Sequence, residues 1–330
     1  MQGGTTSAKL AMSSILRMAR SMRTHKQPSR LLANALLILG TILGGAAHSA
    51  PKTELHYAPN HNIGPNGQYL PGKVGFNLAD VGDARGLDSL PNGVKGLVWI
   101  GQCNGVDAAF LRAVEPFVGN PKVFGFYLMD EPDPTGRYKS LCSPDHLKAE
   151  SDWIHAHIAG AKTFIVLMGL SSSKAPTFVG TYNPTNSHID LFGIDPYPCR
   201  TEFDGCDYEM IHRYVEAAES WGIPRTDMVP IYQAFGGGNW TDDGGGQFLL
   251  PAISQMQQIL ERWGSLVPTP VFDFAYSWGS QNASQSLENS PELQAVFARR
   301  NAASIGSSVH CKRKITCRDD RPASGWADSR

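Results

Sequence analysis

The 330-residue chain is 42% hydrophobic and 18% charged, so it can bury a large core and does not have the composition of a disordered protein. The first fifty residues contain six lysines and arginines and no acid, which leaves 23 of the 29 basic and all 30 acidic side chains, a net charge of about −7, in the rest of the chain. An acidic chain of this kind disfavours nucleic acid as a partner, whereas neutral or cationic polymers remain compatible with it.

The N-terminal region has the three parts of an export signal. Basic residues as far as Arg30 precede an apolar stretch, LLANALLILGTILGGAA, and small residues follow at 47–50. This order is typical of a signal peptide. A membrane anchor is the alternative, but the glycine-interrupted run is shorter than the roughly 20 residues that a transmembrane helix needs. We therefore expect residues 1–50 to be a signal peptide, cleaved near 47–50, and the mature protein to be secreted into the periplasm or the medium without a stable membrane anchor.

Beyond this segment, apolar strands alternate with amphipathic helices. Strands are predicted at 73–80, 94–102, 122–130, 163–169, 189–198, 228–236 and 271–279, with a shorter eighth strand at 54–58. Helices are predicted at 107–117, 144–159, 208–221, 251–263 and 291–303, the second of them with Ser143 as its N-cap. This alternation indicates a parallel α/β fold in one domain.

The strand that begins at Lys122 ends at two acids. The run VFGFYLM is apolar on both faces, as in a buried parallel strand, and Asp130 and Glu131 follow it. Pro132 cannot continue a central ladder. The two carboxyl groups are therefore predicted at the carboxyl end of the strand, where parallel α/β folds carry their sites.

Polar or aromatic residues stand near the ends of most predicted strands, namely Asn77, Gln102, Glu131, Asp195, Gln233 and Trp278. A closed barrel brings such ends around one mouth. We therefore predict a single (β/α)8 barrel of the TIM type at 51–305, followed by a polar, disordered tail at 306–330. No GxGxxG follows the first strand and no GxxxxGK[ST] occurs, which disfavours nucleotide binding, and we expect no cofactor.

Three of these strand ends resemble, in order and spacing, those of the glycoside hydrolase barrels of the large clan whose fourth strand ends in Asn-Glu-Pro. Asp130-Glu131-Pro132 is similar to that motif, Asp195-Pro196-Tyr197 to the end of the clan's sixth strand, and Trp278 to a tryptophan that ends its last strand. The resemblance covers residues 73–280. It implies an enzyme that hydrolyses a poly- or oligosaccharide, with Glu131 as general acid and Asp130 in contact with a sugar hydroxyl. We further expect Asp130 and Asp195 to be the catalytic carboxylates that place water or substrate. Tyr197, Gln233 and Trp278 would line the sugar subsite, with Asn77 as a further candidate contact.

One position departs from the clan. Its nucleophile is a glutamate at the end of the seventh strand, and Gln233 stands in the corresponding place. An amide cannot act as that nucleophile, so three alternatives stay open: an inverting reaction with Asp195 or Asp130 as base, assistance by an N-acetyl group of the substrate, or a barrel that binds carbohydrate without cleaving it. For Gln233 itself, a buried amide bonded to its neighbours is the alternative to a substrate contact.

Several further residues have two interpretations. The glycine-rich loop at 236–246 is either a lid with Trp240 reaching a ligand or a loop without a function. Trp99 is interpreted as a packing residue, and Asp273, between Phe272 and Phe274, needs a partner if it is buried. A metal-dependent hydrolase such as a deacetylase is a further alternative, but the histidines lack metal-binding spacing, so we expect no metal site.

All six cysteines lie beyond residue 50, an even number in a chain predicted to be exported, so we expect disulfides. Their order in the chain favours the pairs Cys103–Cys142, Cys199–Cys206 and Cys311–Cys317, although six cysteines allow fifteen connectivities. A zinc site is disfavoured because no CxxC pair is present.

Overall fold

The computed structural model describes residues 52–241 and 246–315. Within these ranges eight parallel strands form a closed barrel in chain order. They are β1 (His56–Tyr57), β2 (Leu78–Val81), β3 (Lys95–Trp99), β4 (Val123–Asp130), β5 (Lys162–Val166), β6 (Leu191–Ile194), β7 (Met228–Gln233) and β8 (Asp273–Tyr276). β8 pairs back with β1, His56 standing opposite Asp273. The predicted (β/α)8 barrel is therefore confirmed, including its short first strand.

The α-helices in the described ranges are α1 (Ala84–Ser89), α2 (Ala108–Val114), α3 (Pro144–His157), α4 (Pro184–Ser187), α5 (Glu209–Ser220), α6 (Ile253–Leu266) and α7 (Pro291–Ile315). The short helices α1 and α4 were not predicted. The predicted cap of α3 is confirmed, because the Ser143 side chain accepts a hydrogen bond from the His146 amide. α7 continues past Ala303 into the segment predicted as a tail, and the rest of that segment, like the predicted signal peptide, lies outside the described residues.

Apolar side chains fill the interior of the barrel, and the residues between them face the outer layer of helices. Phe272 and Phe274 belong to the inner cluster, where Phe272 contacts Phe124 and Phe164 at 5.6 and 5.1 Å between ring centroids. Asp273 lies between them in sequence and therefore faces outward. No helix in the described ranges is long and apolar enough to cross a membrane.

Asp273 has the partners that its burial requires. It is 1% exposed, lies 3.0 Å from Nδ1 of His56, and pairs with Arg300 of α7. The Arg300 guanidinium also donates to the Tyr232 hydroxyl at 3.1 Å. Burial alone would raise the pKa of Asp273, but Arg300 and His56 outweigh it and lower the pKa. This network ties the β1–β8 closure of the barrel to the last helix.

The described part of the chain contains two disulfides, Cys103–Cys142 and Cys199–Cys206. Both match the pairing that the sequence favoured. The third expected pair lies outside the described residues, since Cys317 follows Ile315.

Candidate active site

β4 carries its two acids to the carboxyl-terminal mouth of the barrel. The buried Tyr127 donates a hydrogen bond to Asp130 at 2.6 Å. At Glu131 the chain turns away from the barrel with a left-handed φ of 46°, and the Glu131 amide donates to the Val166 carbonyl at 3.1 Å. A non-glycine residue adopts this conformation only where its surroundings hold it. The turn leaves Asp130 and Glu131 lining different cavities.

Glu131 is paired with a lysine from the loop that follows β4. Lys139 Nζ lies 3.2 Å from Oε2 of Glu131 and 3.4 Å from its carbonyl oxygen. The two side chains are 42% and 41% exposed. The sequence analysis did not anticipate an ammonium group beside the predicted proton donor.

Asp133 organises the loop that carries Lys139. It is 1% exposed. It accepts hydrogen bonds from the hydroxyl of Thr135 and from the amides of Thr135, Gly136, Tyr138 and Lys139. Although desolvation opposes the shift, these bonds hold the pKa of Asp133 well below its usual range. The sequence analysis missed Asp133, but an aspartate followed by Pro-Thr-Gly is typical of a turn closed by its own side chain.

Asp195 follows β6 and lies at the same mouth. Burial raises its pKa well above the ordinary value, and the charges of Glu131 and Asp130 raise it further, while a hydrogen bond from Tyr197 opposes the shift. Glu131 and Asp195 line the same cavity, and Asp130 precedes Glu131 at the end of β4, so the three predicted carboxyl groups lie at one end of the barrel.

An aromatic cluster forms one wall of the mouth. Tyr197 contacts Phe235, Phe248 and Tyr276, with ring centroids 5.0, 5.8 and 6.1 Å apart. Trp240 stacks on Tyr276 at 5.7 Å with 11° between the ring planes and contacts Phe235 at 5.0 Å. Tyr197 and Trp240 therefore both lie at the mouth, where the sequence analysis expected them.

Two cavities open at the mouth, one beside Asp130 and the other beside Glu131. The first, of about 440 Å³, is called the tryptophan cavity here and is lined by Tyr57, Pro59, Asn60, Asp80, Gly82, Trp99, Tyr127, Asp130, Phe274, Tyr276 and Gln281. The second, of about 510 Å³, is called the serine cavity and is lined by Glu131, Gly169, Ser171, Ser172, Ser173, Lys174, Asp195, Tyr197, Arg200, Glu202, Phe203, Tyr214, Thr241 and Phe248. Both volumes fall in the range of small-molecule sites, ~300–1,000 Å³.

Gln233 does not reach either cavity. It is fully buried, its Oε1 accepts from the Cys199 amide at 2.8 Å, and its Nε2 donates to the carbonyls of Cys199 and Leu249 at 2.9 Å each. The prediction that Gln233 contacts substrate is therefore wrong. The amide links the end of β7 to the loops that follow β6 and β7. This is the alternative stated for Gln233, a buried amide bonded to its neighbours.

Trp278 is also absent from the mouth. It is 1% exposed and belongs to the outer core between strands and helices, with Lys73 Nζ 5.1 Å from its ring centroid. β8 ends at Tyr276, so the chain has left the barrel before Trp278. The prediction of a stacking platform at Trp278 is wrong, and the aromatic residues of β8 that line a cavity are Phe274 and Tyr276.

Asn77 lies at the opposite end of the barrel. It precedes β2, its Oδ1 accepts from the His56 amide at 2.9 Å, and its Nδ2 donates to the Glu54 carbonyl at 2.7 Å. The predicted substrate contact is therefore wrong. The cause is a 3-10 turn at Pro71–Val74 and a left-handed Gly75, which delay the start of β2 to Leu78.

Two mouth residues were missed as candidates. Trp99 was interpreted as packing but is 40% exposed, and its ring meets Tyr127 edge to face at 4.8 Å. Asp80 of β2 lines the same cavity, and burial raises its pKa against hydrogen bonds from the Asn60 amide and the Tyr57 hydroxyl. Both follow buried apolar residues near a strand end, which is the pattern that identified Asp130.

Within the described ranges, no three histidine, cysteine, aspartate or glutamate side chains are placed to hold a metal ion.

Comparisons with known proteins give similarities in fold only. No protein-family model matches the sequence, and no curated protein matches it significantly. Solved structures that match include the GH18 chitinase ChiB of Flavobacterium johnsoniae (8% identity, 77% of this chain and 94% of that chain covered, TM-score 0.47) and a chitinase of Bacteroides thetaiotaomicron (9%, 76% and 96%, 0.45). A third is the GH18 chitinase of Cycas revoluta in complex with (GlcNAc)3 (11%, 70% and 95%, 0.44). At these identities and TM-scores, the matches bear on neither the activity nor the residue roles of this chain.

Proposed function

We propose that the protein is a glycoside hydrolase whose active site is the carboxylate cluster of Asp130, Glu131 and Asp195. The observation that carries this proposal is that Glu131 and Asp195 line one cavity at the barrel mouth, with Asp130 beside Glu131 at the end of β4. Burial and the charges of Glu131 and Asp130 raise the pKa of Asp195 in this arrangement. Such a cluster keeps a proton at a pH where separate carboxyl groups would have lost theirs. Glycoside hydrolysis requires this combination, because one protonated carboxyl group serves the leaving oxygen and one ionised group serves the other face of the sugar.

Glu131 is assigned as the group that delivers the proton. Its side chain is 41% exposed and lines the serine cavity, so it can reach a glycosidic oxygen. In the resting site Asp195 holds the retained proton while Glu131 is ionised and paired with Lys139. Asp195 passes this proton to Glu131 as Glu131 protonates the leaving oxygen, and the ionised Asp195 then serves water or the substrate as the second carboxylate. Asp130, oriented by the Tyr127 hydroxyl, faces the sugar in the tryptophan cavity.

The test is hydrolysis of a panel of poly- and oligosaccharides by the wild type and by two isosteric variants, Glu131→Gln and Asp195→Asn. Each should lower kcat by ~100-fold or more, the usual contribution of a general acid or base, while Glu261→Gln on the outer helix α6 should leave it unchanged. The wild-type rate should fall as pH rises through the raised pKa of Asp195, because the retained proton is then lost. Asp195→Asn should abolish this fall on the alkaline side of the pH–rate profile. Wild-type turnover in both variants would refute the assignment.

A carbohydrate-binding barrel without hydrolysis is the second candidate. The buried Gln233 favours it, because β7 supplies no carboxylate to the mouth. A wild type that binds a glycan measurably and cleaves none of the panel would select this function.

We further propose that the mature protein is exported. Two disulfides within one barrel suit an oxidising compartment, and residues 1–50 have the pattern of a signal peptide. N-terminal sequencing of protein recovered from the periplasm or medium of a bacterial host should give a start just after residues 47–50. Recovery only from the cytoplasm with Met1 intact would contradict export.

A further inference from the structure

The tryptophan cavity combines aromatic walls with acidic groups. Five of its lining residues are aromatic, two are acidic, and none of the described residues that line it is a lysine, arginine or histidine. The aromatic residues are Tyr57, Trp99, Tyr127, Phe274 and Tyr276, and the acids are Asp80 and Asp130. Such a lining attracts a cation in two ways, through carboxylates and through ring faces.

The two carboxylates are held in place by neutral donors. Tyr57 donates to Asp80, and Tyr127 donates to Asp130 at 2.6 Å. Burial and the adjacent carboxylates raise the pKa of both tyrosines well above the ordinary value, so the hydroxyls stay protonated. A carboxylate has about four acceptor positions. Asp80, which also accepts from the Asn60 amide, and Asp130 can therefore each still accept from a ligand.

The cavity also offers a sugar its ordinary contacts. Trp99 is 40% exposed and is braced edge to face by Tyr127, and exposed rings of this kind pack on sugar faces. Asn60 and Gln281 also line the cavity, and side-chain amides of this kind can hydrogen-bond sugar hydroxyl groups.

The serine cavity differs in charge. Its acids, Glu131, Asp195 and Glu202, are accompanied by Lys174 and Arg200. A positive group on the substrate is therefore favoured on the tryptophan side of the mouth and not on the serine side.

We propose that the tryptophan cavity binds an amino sugar with a free ammonium group, so that the substrate is a glycan containing de-N-acetylated amino sugar residues. This inference rests on the proposed glycosidase function and names its substrate class. The ammonium would lie between Asp80 and Asp130, with the sugar ring against Trp99. An acidic sugar would place like charges together, and an N-acetylated sugar would leave two carboxylates shielded from water without a cation. The net charge of about −7 beyond residue 50 would draw a cationic polymer to the surface.

Binding is measured separately from turnover. The Glu131→Gln variant is titrated calorimetrically with three tetrasaccharides, of glucosamine, of N-acetylglucosamine and of glucose. The titrations use a series of pH values at which the amino groups carry protons, because burial raises the pKa of Asp80 and the ammonium needs its ionised form. The glucosamine tetramer should bind ~10-fold or more tightly than the other two, the value of one charge-assisted hydrogen bond. Its affinity should fall with added salt.

Variants test which residues cause the preference for the glucosamine tetramer. Asp80→Asn, added to Glu131→Gln, should remove most of the ~10-fold preference, and Trp99→Ala should weaken all three ligands because it removes a stacking surface. Glu261→Gln should change nothing. Thermal unfolding checks that Asp80→Asn, at a half-buried position, leaves the fold intact. Trp99→Ala, at an exposed position, is a second variant of the same cavity.

The outcomes separate the two proposals. Equal or tighter binding of the N-acetylated or neutral tetramer overturns the inference, and the glycosidase proposal survives if the wild type hydrolyses that ligand. A glucosamine preference that persists in Asp80→Asn places the ammonium elsewhere and also overturns the inference. If no glycan binds and none is cleaved, the glycosidase proposal and the inference fail together.

Discussion

Lys139 contacts Glu131 through both its carboxylate and its backbone. Nζ lies 3.2 Å from Oε2 and 3.4 Å from the carbonyl oxygen, so one ammonium group holds the side chain and the left-handed peptide that presents it. Asp133 in turn fixes the Lys139 amide. The loop after β4 therefore positions the predicted proton donor.

Removing this ammonium should affect catalysis more than stability. We expect Lys139→Met to lower kcat/KM by ~10-fold, the cost of one charge-assisted contact, because Glu131 loses its orientation. The free energy of unfolding should change by less than about 1 kcal/mol, as for other exposed ion pairs. Lys148→Met, which breaks the exposed Lys148–Asp152 pair on α3, is the matched control and should leave kcat/KM unchanged. Equal kinetics in the two variants would contradict a role for Lys139.

The position of Asp130 and Glu131 could be predicted from local sequence, but the burial of Gln233 beneath two loops could not. Asp130 and Glu131 end a long apolar strand before a proline, and these features are contiguous in the chain. Gln233 has the same strand parity as Val229 and Ile231, which belong to the inner cluster, so an inward direction was predictable. The loops at Cys199 and Leu249 that cover it are 34 and 16 residues away in sequence, and no local pattern reveals them.

The predictions for Trp278 and Asn77 were wrong for a different reason, because β8 and β2 have other boundaries than the predicted strands. Tyr276 and Trp278 share strand parity, and only the end of β8 distinguishes them. Asn77 and Asp80 lie on one predicted strand, but the turn before Leu78 places them at opposite ends of the barrel. β2 starts five residues later than predicted and β8 ends three residues earlier, and boundary errors of this size move a side chain out of the site.

Gln233→Glu tests whether this position is a lost nucleophile. The glutamate would face the carbonyls of Cys199 and Leu249, which now accept from the amide of Gln233. Burying a carboxylate against two acceptors should cost about 3 kcal/mol of unfolding free energy and should not raise turnover. Gln258→Glu on the outer helix α6 is the isosteric control. A gain of glycosidase activity in Gln233→Glu would show that the buried geometry is not the functional one.

Glu150 on α3 should make the stability of the protein depend on pH. It is fully buried, its Oε1 accepts from the amides of Asn104 and Gly105 at 3.0 and 2.9 Å, and burial nevertheless raises its pKa to about 8. An unfolded glutamate has a pKa of about 4.3, so between these values the folded state binds the extra proton. The unfolding free energy contributed by Glu150 should therefore fall as pH rises from about 4 to about 8, by at most about 1.4 kcal/mol per pH unit.

Urea denaturation at a series of pH values measures this slope. Glu150→Gln should flatten it, because the amide does not titrate, whereas the exposed Glu261→Gln should leave it as in the wild type. A wild-type slope that persists unchanged in Glu150→Gln would assign the pH dependence to another group, such as Asp195, whose pKa is also raised.

Removing Arg300 alone from the Arg300–Asp273 pair should destabilise the protein more than removing both charges. Asp273 is 1% and the Arg300 side chain 7% exposed, so Arg300→Met leaves a buried carboxylate beside His56 and Tyr232 without its cation. We expect a loss of about 3–5 kcal/mol in unfolding free energy, whereas Arg299→Met, at the exposed neighbouring position on α7, should cost far less. Adding Asp273→Asn to Arg300→Met removes the uncompensated charge and should recover part of the loss. The pair lowers the pKa of Asp273 in the folded state. Its contribution to the free energy of unfolding is therefore present above the unfolded pKa of about 3.9 and is lost as pH falls through the folded-state pKa. A double variant less stable than Arg300→Met would show that the network acts through packing at the β1–β8 closure and not through charge.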